Sequence, residues 1–144
     1  MTLVALVDTN VVVSGVLAAV KGSPTARILD AMIAGTLHFL LSDDLLAEYR
    51  AVLLRPVVVA RLGLSTAEVD AILADVVMNA SWREPAPAPP HPVVPGDEHV
   101  IALLEAEPQA VLVTGDRRLR EAVGAVRAAL TPAEIAAQLS ADAW

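Results

Sequence analysis

Short, nearly continuous apolar runs alternate along the chain with longer segments in which apolar residues recur every three or four positions. Such runs are typical of strands buried on both faces, and the longer spacing is typical of helices with one buried face. The pattern predicts strands over 3–7, 37–41, 110–113 and 126–130. It predicts helices over 10–20 and 24–34, from Ser42 to before Pro56, from Ser65 past Val76, from Asp97 or Glu98 through Ala106, over a short stretch after Asp116, and from Thr131 onward.

Polar and proline positions mark several of the predicted helix ends. Ser65 and Glu68 have the spacing of a capping box, and Pro24 suits the first turn of a helix. Residues 84–95 contain six prolines and form an extended connector that is too short to separate two domains. Because strands alternate with helices, we predict a single domain over residues 1–144. Its expected architecture is a three-layer α/β/α sandwich with a central parallel sheet of about four or five strands.

Composition narrows the chemistry that this fold can carry. The chain has no cysteine, which excludes disulfides, cysteine-ligated zinc and thiol catalysis. The most apolar stretch, residues 3–20, is interrupted by Asp8 and Asn10, and no signal-peptide pattern opens the chain. We therefore expect a cytoplasmic protein without a membrane partner.

The charge balance bears on nucleic-acid binding in two ways. The formal net charge is −7 and the only lysine is Lys21, whereas nucleic-acid binders usually carry a basic surface. An acidic chain is still compatible with a nuclease that holds its scissile phosphate through metal ions, because the metal-binding carboxylates make the chain acidic. Arg117, Arg118 and Arg120 form the densest basic segment. Arg117 and Arg118 are candidates for contact with substrate phosphates, and a solvated helix face is the plainer interpretation.

Carboxylates accompany the predicted strands in four separated segments. Asp8 comes directly after the first strand, and Asp116 closely follows the third. Asp97 and Glu98 open the helix before that third strand, and Glu48 lies in the helix after the second. Because ligand sites of parallel sheets lie outside the carboxyl ends of the strands, we expect these acidic groups at one rim of the sheet.

Carboxylates that close together would repel one another unless a cation neutralised them. Oxygen ligands without cysteine or clustered histidine favour Mg²⁺ or Mn²⁺ over zinc, as one ion or as a pair about 3.5–4 Å apart. Each acidic residue also has a plainer interpretation, as a turn residue, a helix cap or an exposed helix charge. His38, His91 and His99 have no ligand spacing, so we expect no catalytic histidine.

Four motifs occur in order along the chain. They are Leu6-Val7-Asp8-Thr9-Asn10 with Ser14, Ser42-x-x-Leu45-x-x-Glu48-Tyr49-x-x-Val52-Leu53, Pro95-Gly96-Asp97-Glu98-x-x-Ile101, and Leu112-Val113-Thr114-Gly115-Asp116. Together they resemble the motifs of the PIN-domain nucleases, and the whole resembles the ribonuclease toxins of bacterial type II toxin–antitoxin pairs. The resemblance extends from residue 3 to about residue 139, which is nearly the whole chain.

This resemblance implies a parallel sheet between helices, Mg²⁺ or Mn²⁺ as the cofactor and RNA as the substrate. It implies that Asp8, Glu48 and Asp116 are catalytic metal ligands. The remaining ligand position stays open between Asp97 and Glu98, and Asp97 is favoured because it keeps the residue type usual in the family.

The resemblance also implies supporting residues and partners. Thr9 or Asn10 would orient Asp8 by hydrogen bonding, and Thr114 would supply a hydroxyl that supports the site. The implied partners are the RNA substrate, a small cognate antitoxin protein that covers the site, and a second copy of the chain in a homodimer.

Two other functions compete with the ribonuclease hypothesis. The first is another phosphohydrolase of similar topology: a haloacid-dehalogenase-type phosphatase needs a second aspartate where this chain has Asn10, and a response-regulator receiver needs a lysine after a late strand, where this chain has none. The second is a catalytically inactive PIN-like binding module. No essential residue of the family pattern is missing, which weighs against that module.

Overall fold

A five-stranded parallel sheet lies at the centre of the structure. The computed structural model describes residues 3–18, 21–87, 89–90, 95–124 and 127–142. Within them the strands are β1 (Val4–Val7), β2 (His38–Leu41), β3 (Ser81–Trp82), β4 (Val111–Val113) and β5 (Ala129–Leu130). The helices are α1 (Thr9–Leu17), α2 (Pro24–Ala34), α3 (Asp43–Leu53), α4 (Pro56–Leu62), α5 (Thr66–Met78), α6 (Glu98–Ala106), α7 (Arg117–Gly124) and α8 (Pro132–Asp142).

The strand order, β3-β2-β1-β4-β5, changes direction between β1 and β4. From β1 the chain runs outward through β2 to β3, and it then returns to add β4 and β5 on the other side of β1. Since crossovers between parallel strands are right-handed, the two directions place α1 to α5 and α6 to α7 on opposite faces. The expected three-layer α/β/α sandwich is confirmed, and its switch point lies at the carboxyl ends of β1 and β4.

The register of β1 against β4 decides which residues meet at that switch point. Val7 lies opposite Val113, so the residues that follow them, Asp8 and Thr114, leave the sheet side by side. The backbone N–H of Asp8 donates to the carbonyl oxygen of Val113 at 2.9 Å. The pairing of β1 with β4 therefore brings together two segments that are far apart in the sequence.

Local sequence explains several of the helix ends. The Ser23 hydroxyl accepts a backbone N–H at the start of α2, Pro24 occupies its first turn, and Gly35 ends it with a φ of 79°. The predicted capping box at α5 is confirmed: the Ser65 hydroxyl accepts from the Glu68 N–H at 3.1 Å, and the Glu68 carboxylate accepts from the Ser65 N–H at 3.0 Å.

Burial on both faces of the sheet explains why the strand sequences are continuously apolar. Residues 5–7 of β1 and 39–41 of β2 are fully buried. The first two helices pack closely over this core: a Cβ built on Gly15 of α1 would lie 2.8 Å from the Thr25 carbonyl oxygen and 2.9 Å from the Leu29 Cβ of α2. A residue without a side chain at position 15 therefore allows this approach.

Two observed elements do not follow from the sequence pattern. The helix α4 begins with Pro56, and Gly63 in the left-handed conformation caps its end. None of its seven residues is fully buried, so its sequence has no strong apolar periodicity. The strand β3 has only two residues and exists through its pairing with β2. That pairing is a contact between distant residues, which local patterns do not contain.

Other differences concern boundaries. The helix α1 begins at Thr9 and ends at Leu17 rather than at Val20, because Ala18 takes an extended conformation. The strand β5 begins at Ala129, and Val126, the first residue of the predicted strand, lies outside the described residues. Residues 84–87 and 89–90 of the proline-rich connector form neither helix nor strand. No helix in the described part of the chain is long and apolar enough to span a membrane.

Candidate metal centre

Asp8 lies at the carboxyl end of β1 and caps helix α1. Its Oδ1 accepts a hydrogen bond from the Thr9 N–H at 2.9 Å, and its Oδ2 accepts from the Thr114 hydroxyl at 2.7 Å. Asp8 is 7% exposed and Thr114 is fully buried. The carboxylate is therefore held by one hydrogen bond from each of the two segments that meet at the switch point.

The electrostatic environment of Asp8 is unfavourable to its charge. Burial raises the pKa of Asp8 above its usual range, although the hydrogen bonds from Thr114 and Thr9 lower it. The negative charges of Glu48 and Asp116 raise this pKa further. Asp8 thus lies within electrostatic range of two other carboxylates, and a nearby cation would stabilise its ionised form.

Thr114 connects Asp8 with Asp116. Its hydroxyl oxygen, which donates to Asp8, accepts a hydrogen bond from the Asp116 N–H at 3.0 Å. The Asp116 Oδ1 in turn accepts from the Arg118 N–H at 2.9 Å and from the Leu119 N–H at 3.3 Å at the start of α7. Asp116 therefore occupies the helix-capping position that the plainer interpretation gave it, and it is also joined to Asp8 through a single hydroxyl group.

Glu48 reaches the same rim from α3. The next residue, Tyr49, is fully buried, and its hydroxyl donates to the carbonyl oxygen of Val7, the residue before Asp8. This hydrogen bond fixes α3 against the carboxyl end of β1. It explains how a glutamate in the middle of a helix is presented to the end of a strand.

Glu48, Asp97 and His99 form the most compact group of potential ligands. Each offers one ligand atom, and these atoms all lie within 4.8 Å of one another. The Nε2 atom of His99 lies 3.0 Å from the Oε2 atom of Glu48, with the two side chains 18% and 35% exposed. The contact with His99 lowers the pKa of Glu48, and the same contact raises the pKa of His99.

Asp97 carries the clearest electrostatic signature of crowding. Burial, together with the charges of Asp8, Glu48 and Asp116, raises its pKa from 3.8 to about 6, and the contact with His99 opposes part of this rise. Three of the four acidic segments predicted to converge therefore act electrostatically on the fourth. Glu98, in contrast, directs its Oε2 to the Gly96 N–H at 2.7 Å, on the connector side of α6.

The donor set fits a divalent cation. Three polar atoms at this corner are buried without a well-formed hydrogen bond among the described residues: Thr9 Oγ1, Glu48 Oε2 and His99 Nδ1. The 3.0 Å contact between His99 and Glu48 pairs their charges without the angle of a hydrogen bond. Buried polar atoms of this kind normally have a partner, so the corner is chemically incomplete as a purely protein structure. Carboxylate oxygens suit Mg²⁺ and Mn²⁺, and an imidazole nitrogen suits Mn²⁺.

Asn10, predicted to orient Asp8, and Arg117 and Arg118, predicted to contact substrate phosphates, all lie at the periphery of the site. Asn10 is exposed, and the hydrogen bonds that hold Asp8 come from the Thr9 N–H and the Thr114 hydroxyl. Arg117 is exposed and paired with Glu121 at 2.8 Å, and Arg118 is exposed on the same helix.

His99 is the residue that sequence reasoning missed. It was set aside because its spacing from the other histidines fits no metal site, but the structure groups it with two carboxylates. It lies two positions after Asp97, in the first turn of α6, and that proximity was the available signal. A groove of about 200 Å³ opens beside it, between the starts of α3 and α6 and the connector residues 85–87, with Asp44 and Glu98 among its lining residues.

The chain matches a known protein family over the residues that form this rim. A model of the PIN domain matches residues 4–118. The chain belongs to the PIN-domain family. The match contains β1 to β4 and the acidic residues Asp8, Glu48, Asp97, Glu98 and Asp116, and it ends at the start of α7. No curated protein and no solved structure gave a significant match.

Membership in the PIN-domain family indicates the general chemistry expected at the carboxyl rim of the sheet. PIN domains are typically metal-dependent nucleases that use divalent ions and bind RNA, and this PIN domain has a candidate metal-binding group in Glu48, Asp97 and His99.

Proposed function

We propose that this PIN domain is a Mg²⁺- or Mn²⁺-dependent endoribonuclease that acts as the toxin of a toxin–antitoxin pair. The main support is that Glu48 and Asp97 lie in one compact group at the rim and that the charges of Asp8 and Asp116 act on Asp97 there. The carboxyl ends of a parallel sheet at a switch point are where α/β proteins bind their ligands. Burial and repulsion from the other carboxylates both raise the pKa of Asp97, and a bound cation would relieve both.

In this proposal the metal ligands are Asp8, Glu48, Asp97 and Asp116. Asp97 is chosen over Glu98 because its carboxylate lies in the compact group with Glu48, whereas a Glu98 oxygen accepts the Gly96 N–H. The bound ion would supply Lewis acidity and a water of lowered pKa for attack on the phosphodiester.

Other residues of the chain would orient the metal ligands and neutralise the charge of the substrate phosphates. Thr114 and the Thr9 N–H keep both oxygens of Asp8 in fixed positions, and the buried Tyr49 hydroxyl keeps α3 in place so that Glu48 faces them. Arg117 and Arg118, exposed at the start of α7 directly after Asp116, are available to contact substrate phosphates.

The toxin role brings two further protein partners. A small cognate antitoxin would cover the site, and the groove beside His99, whose lining includes Asp44 and Glu98, suits a basic side chain of that partner. We also propose a homodimer and a cytoplasmic location. A neighbouring reading frame that encodes a small antitoxin-like protein, and its co-purification with this chain, would support the pairing.

The decisive experiment is cleavage of cellular RNA by the purified chain, free of antitoxin, with Mg²⁺ or Mn²⁺ and with EDTA, followed by mapping of the cut sites. Asp8→Asn should abolish metal-dependent cleavage. Asp97→Asn should reduce it far more than Glu98→Gln, which tests the choice between neighbouring acids. Asp75→Asn, an exposed charge on α5, serves as the control.

Two outcomes would contradict the proposal. Unchanged cleavage by Asp8→Asn would show that the activity does not come from this centre. Absence of cleavage of any RNA with either ion would favour the catalytically inactive binding module instead.

A further inference from the structure

We infer that His99 supplies a nitrogen ligand to the metal centre and makes this PIN domain prefer Mn²⁺ to Mg²⁺. The inference rests on the proposed metal dependence and adds a residue and a selectivity to it. Its basis is the composition of the most compact ligand group, in which an imidazole accompanies the carboxylates of Glu48 and Asp97 within 4.8 Å.

The position of His99 suits a ligand better than a simple partner for a carboxylate. Its side chain is 18% exposed. Nε2 contacts Glu48 at 3.0 Å, while Nδ1 is buried and has no hydrogen-bond partner among the described residues. The 3.0 Å separation of Nε2 from the Glu48 Oε2, without the angle of a hydrogen bond, suits two ligand atoms that bind one ion side by side.

A neighbouring residue points independently to a ligand at this corner. Thr9 is 6% exposed, and its hydroxyl also lacks a well-formed hydrogen bond within the described part of the chain. The hydroxyl lies within reach of Glu48 and lowers the pKa of that carboxylate as a hydrogen-bond donor, although the geometry of this bond is poor. Two buried polar groups on different elements, α1 and α6, are thus left incomplete around the same glutamate.

The identity of the donor decides the expected selectivity. Mg²⁺ takes oxygen ligands in near-ideal octahedral geometry and keeps much of its water. Imidazole suits transition metals, whereas carboxylate and water serve Mg²⁺ and Mn²⁺ alike. A centre made only of carboxylates therefore discriminates little between the two ions, and one imidazole in the set favours Mn²⁺.

The first test compares wild type, His99→Gln and His38→Gln by calorimetric titration with MnCl₂ and with MgCl₂. Loss of residues that only support a ligand already weakens metal affinity by about 10- to 100-fold, so loss of a direct ligand should weaken Mn²⁺ binding at least about tenfold. Mg²⁺ binding should not weaken, because glutamine offers an oxygen in place of the nitrogen. His38 is exposed at the start of β2, and its replacement should change neither affinity.

The second test detects the nitrogen ligand directly by spectroscopy. Mn²⁺ bound to wild type should show ¹⁴N modulation in electron spin-echo spectra, and selective ¹⁵N-histidine labelling should replace it with the ¹⁵N pattern. The modulation should persist in His38→Gln and disappear in His99→Gln. Thermal unfolding in EDTA checks that both variants fold.

The outcomes separate this inference from the proposed function. If His99 were only a cation paired with Glu48, its removal would strengthen binding of both ions by the same factor, and the inference would be overturned. Absence of histidine nitrogen modulation from the wild-type Mn²⁺ complex would overturn it as well. RNA cleavage is measured separately. Cleavage with equal preference for the two ions would refute the role of His99 but not the proposed nuclease activity. Selective Mn²⁺ binding without cleavage would refute the nuclease activity but not the role of His99.

Discussion

Asp97 should make the metal-free protein less stable than a neutral residue would. Burial, together with the charges of Asp8 and Glu48, raises its pKa from 3.8 to about 6. A rise of this size corresponds to about 3 kcal/mol, at about 1.4 kcal/mol for each pH unit. Because the Asp97 side chain is only partly buried, solvent screening reduces this energy. We therefore expect Asp97→Asn to increase the free energy of unfolding by about 1 kcal/mol at neutral pH.

The effect has a defined pH dependence. A raised pKa means that the folded chain binds the Asp97 proton more tightly than the unfolded chain does. The cost of the charge is therefore absent below about pH 4, grows as the pH rises towards about 6, and is complete above that value. The advantage of Asp97→Asn over wild type should follow the same course.

Thermal unfolding in EDTA at about pH 7.5 measures the prediction, and the expected increase in Tm is about 3 °C. Asp75→Asn removes an equal charge from an exposed position and controls for the general effect of the net charge of −7. Saturating Mn²⁺ should reverse the order of Tm, because an ion at about 100 times its Kd stabilises a protein by about 2.7 kcal/mol and the variant lacks a ligand. If the Tm of Asp97→Asn in EDTA is no higher than the Tm of Asp75→Asn, the electrostatic reasoning is wrong.

Three further predictions concern packing and hydrogen bonds, all measurable by guanidinium unfolding. Thr114→Val should lower the free energy of unfolding by about 1–2 kcal/mol, because Asp8 loses a buried hydrogen-bond donor. It should also slow metal-dependent cleavage at least about tenfold, and normal cleavage would refute the positioning role of Thr114. Gly15→Ala should cost about 1–3 kcal/mol through its clash with α2, whereas Gly124→Ala, where a Cβ meets nothing within 4 Å, should cost nothing. Arg127→Met should cost about 2 kcal/mol, since that guanidinium donates to three backbone carbonyls at 2.6–3.0 Å; an unchanged midpoint would refute this.

Much of the fold was predictable because its determinants are local. The capping box at Ser65, the proline and glycine that bound α2, and the continuous apolar strands each depend on residues within a few positions of one another. The topological rule for parallel sheets then located the rim, since Asp8 and Asp116 each follow a strand closely.

The remaining features depend on contacts between distant segments. The pairing of β3 with β2 has no local signal, and the role of Thr114 follows from the register of β1 against β4. His99 meets Glu48 only because α6 packs against α3, so no spacing of histidines in the sequence indicates it. Helix α4 was missed for a different reason, since it lies on the surface and buries no residue fully.

The hydrogen bond between Thr114 and Asp8 also means that the site can form only late in synthesis of the chain. It joins residues 106 positions apart, and a ribosome adds about 5–20 residues per second, so Asp8 waits on the order of 5–20 seconds for its partner strand. Throughout that interval the nascent chain has Asp8 and Glu48 but no β4 to complete the rim. Under the proposed ribonuclease function, the late arrival of β4 would keep the nascent chain inactive while ribosomal RNA lies within its reach. The same dependence predicts that any fragment ending before Val111 has no activity.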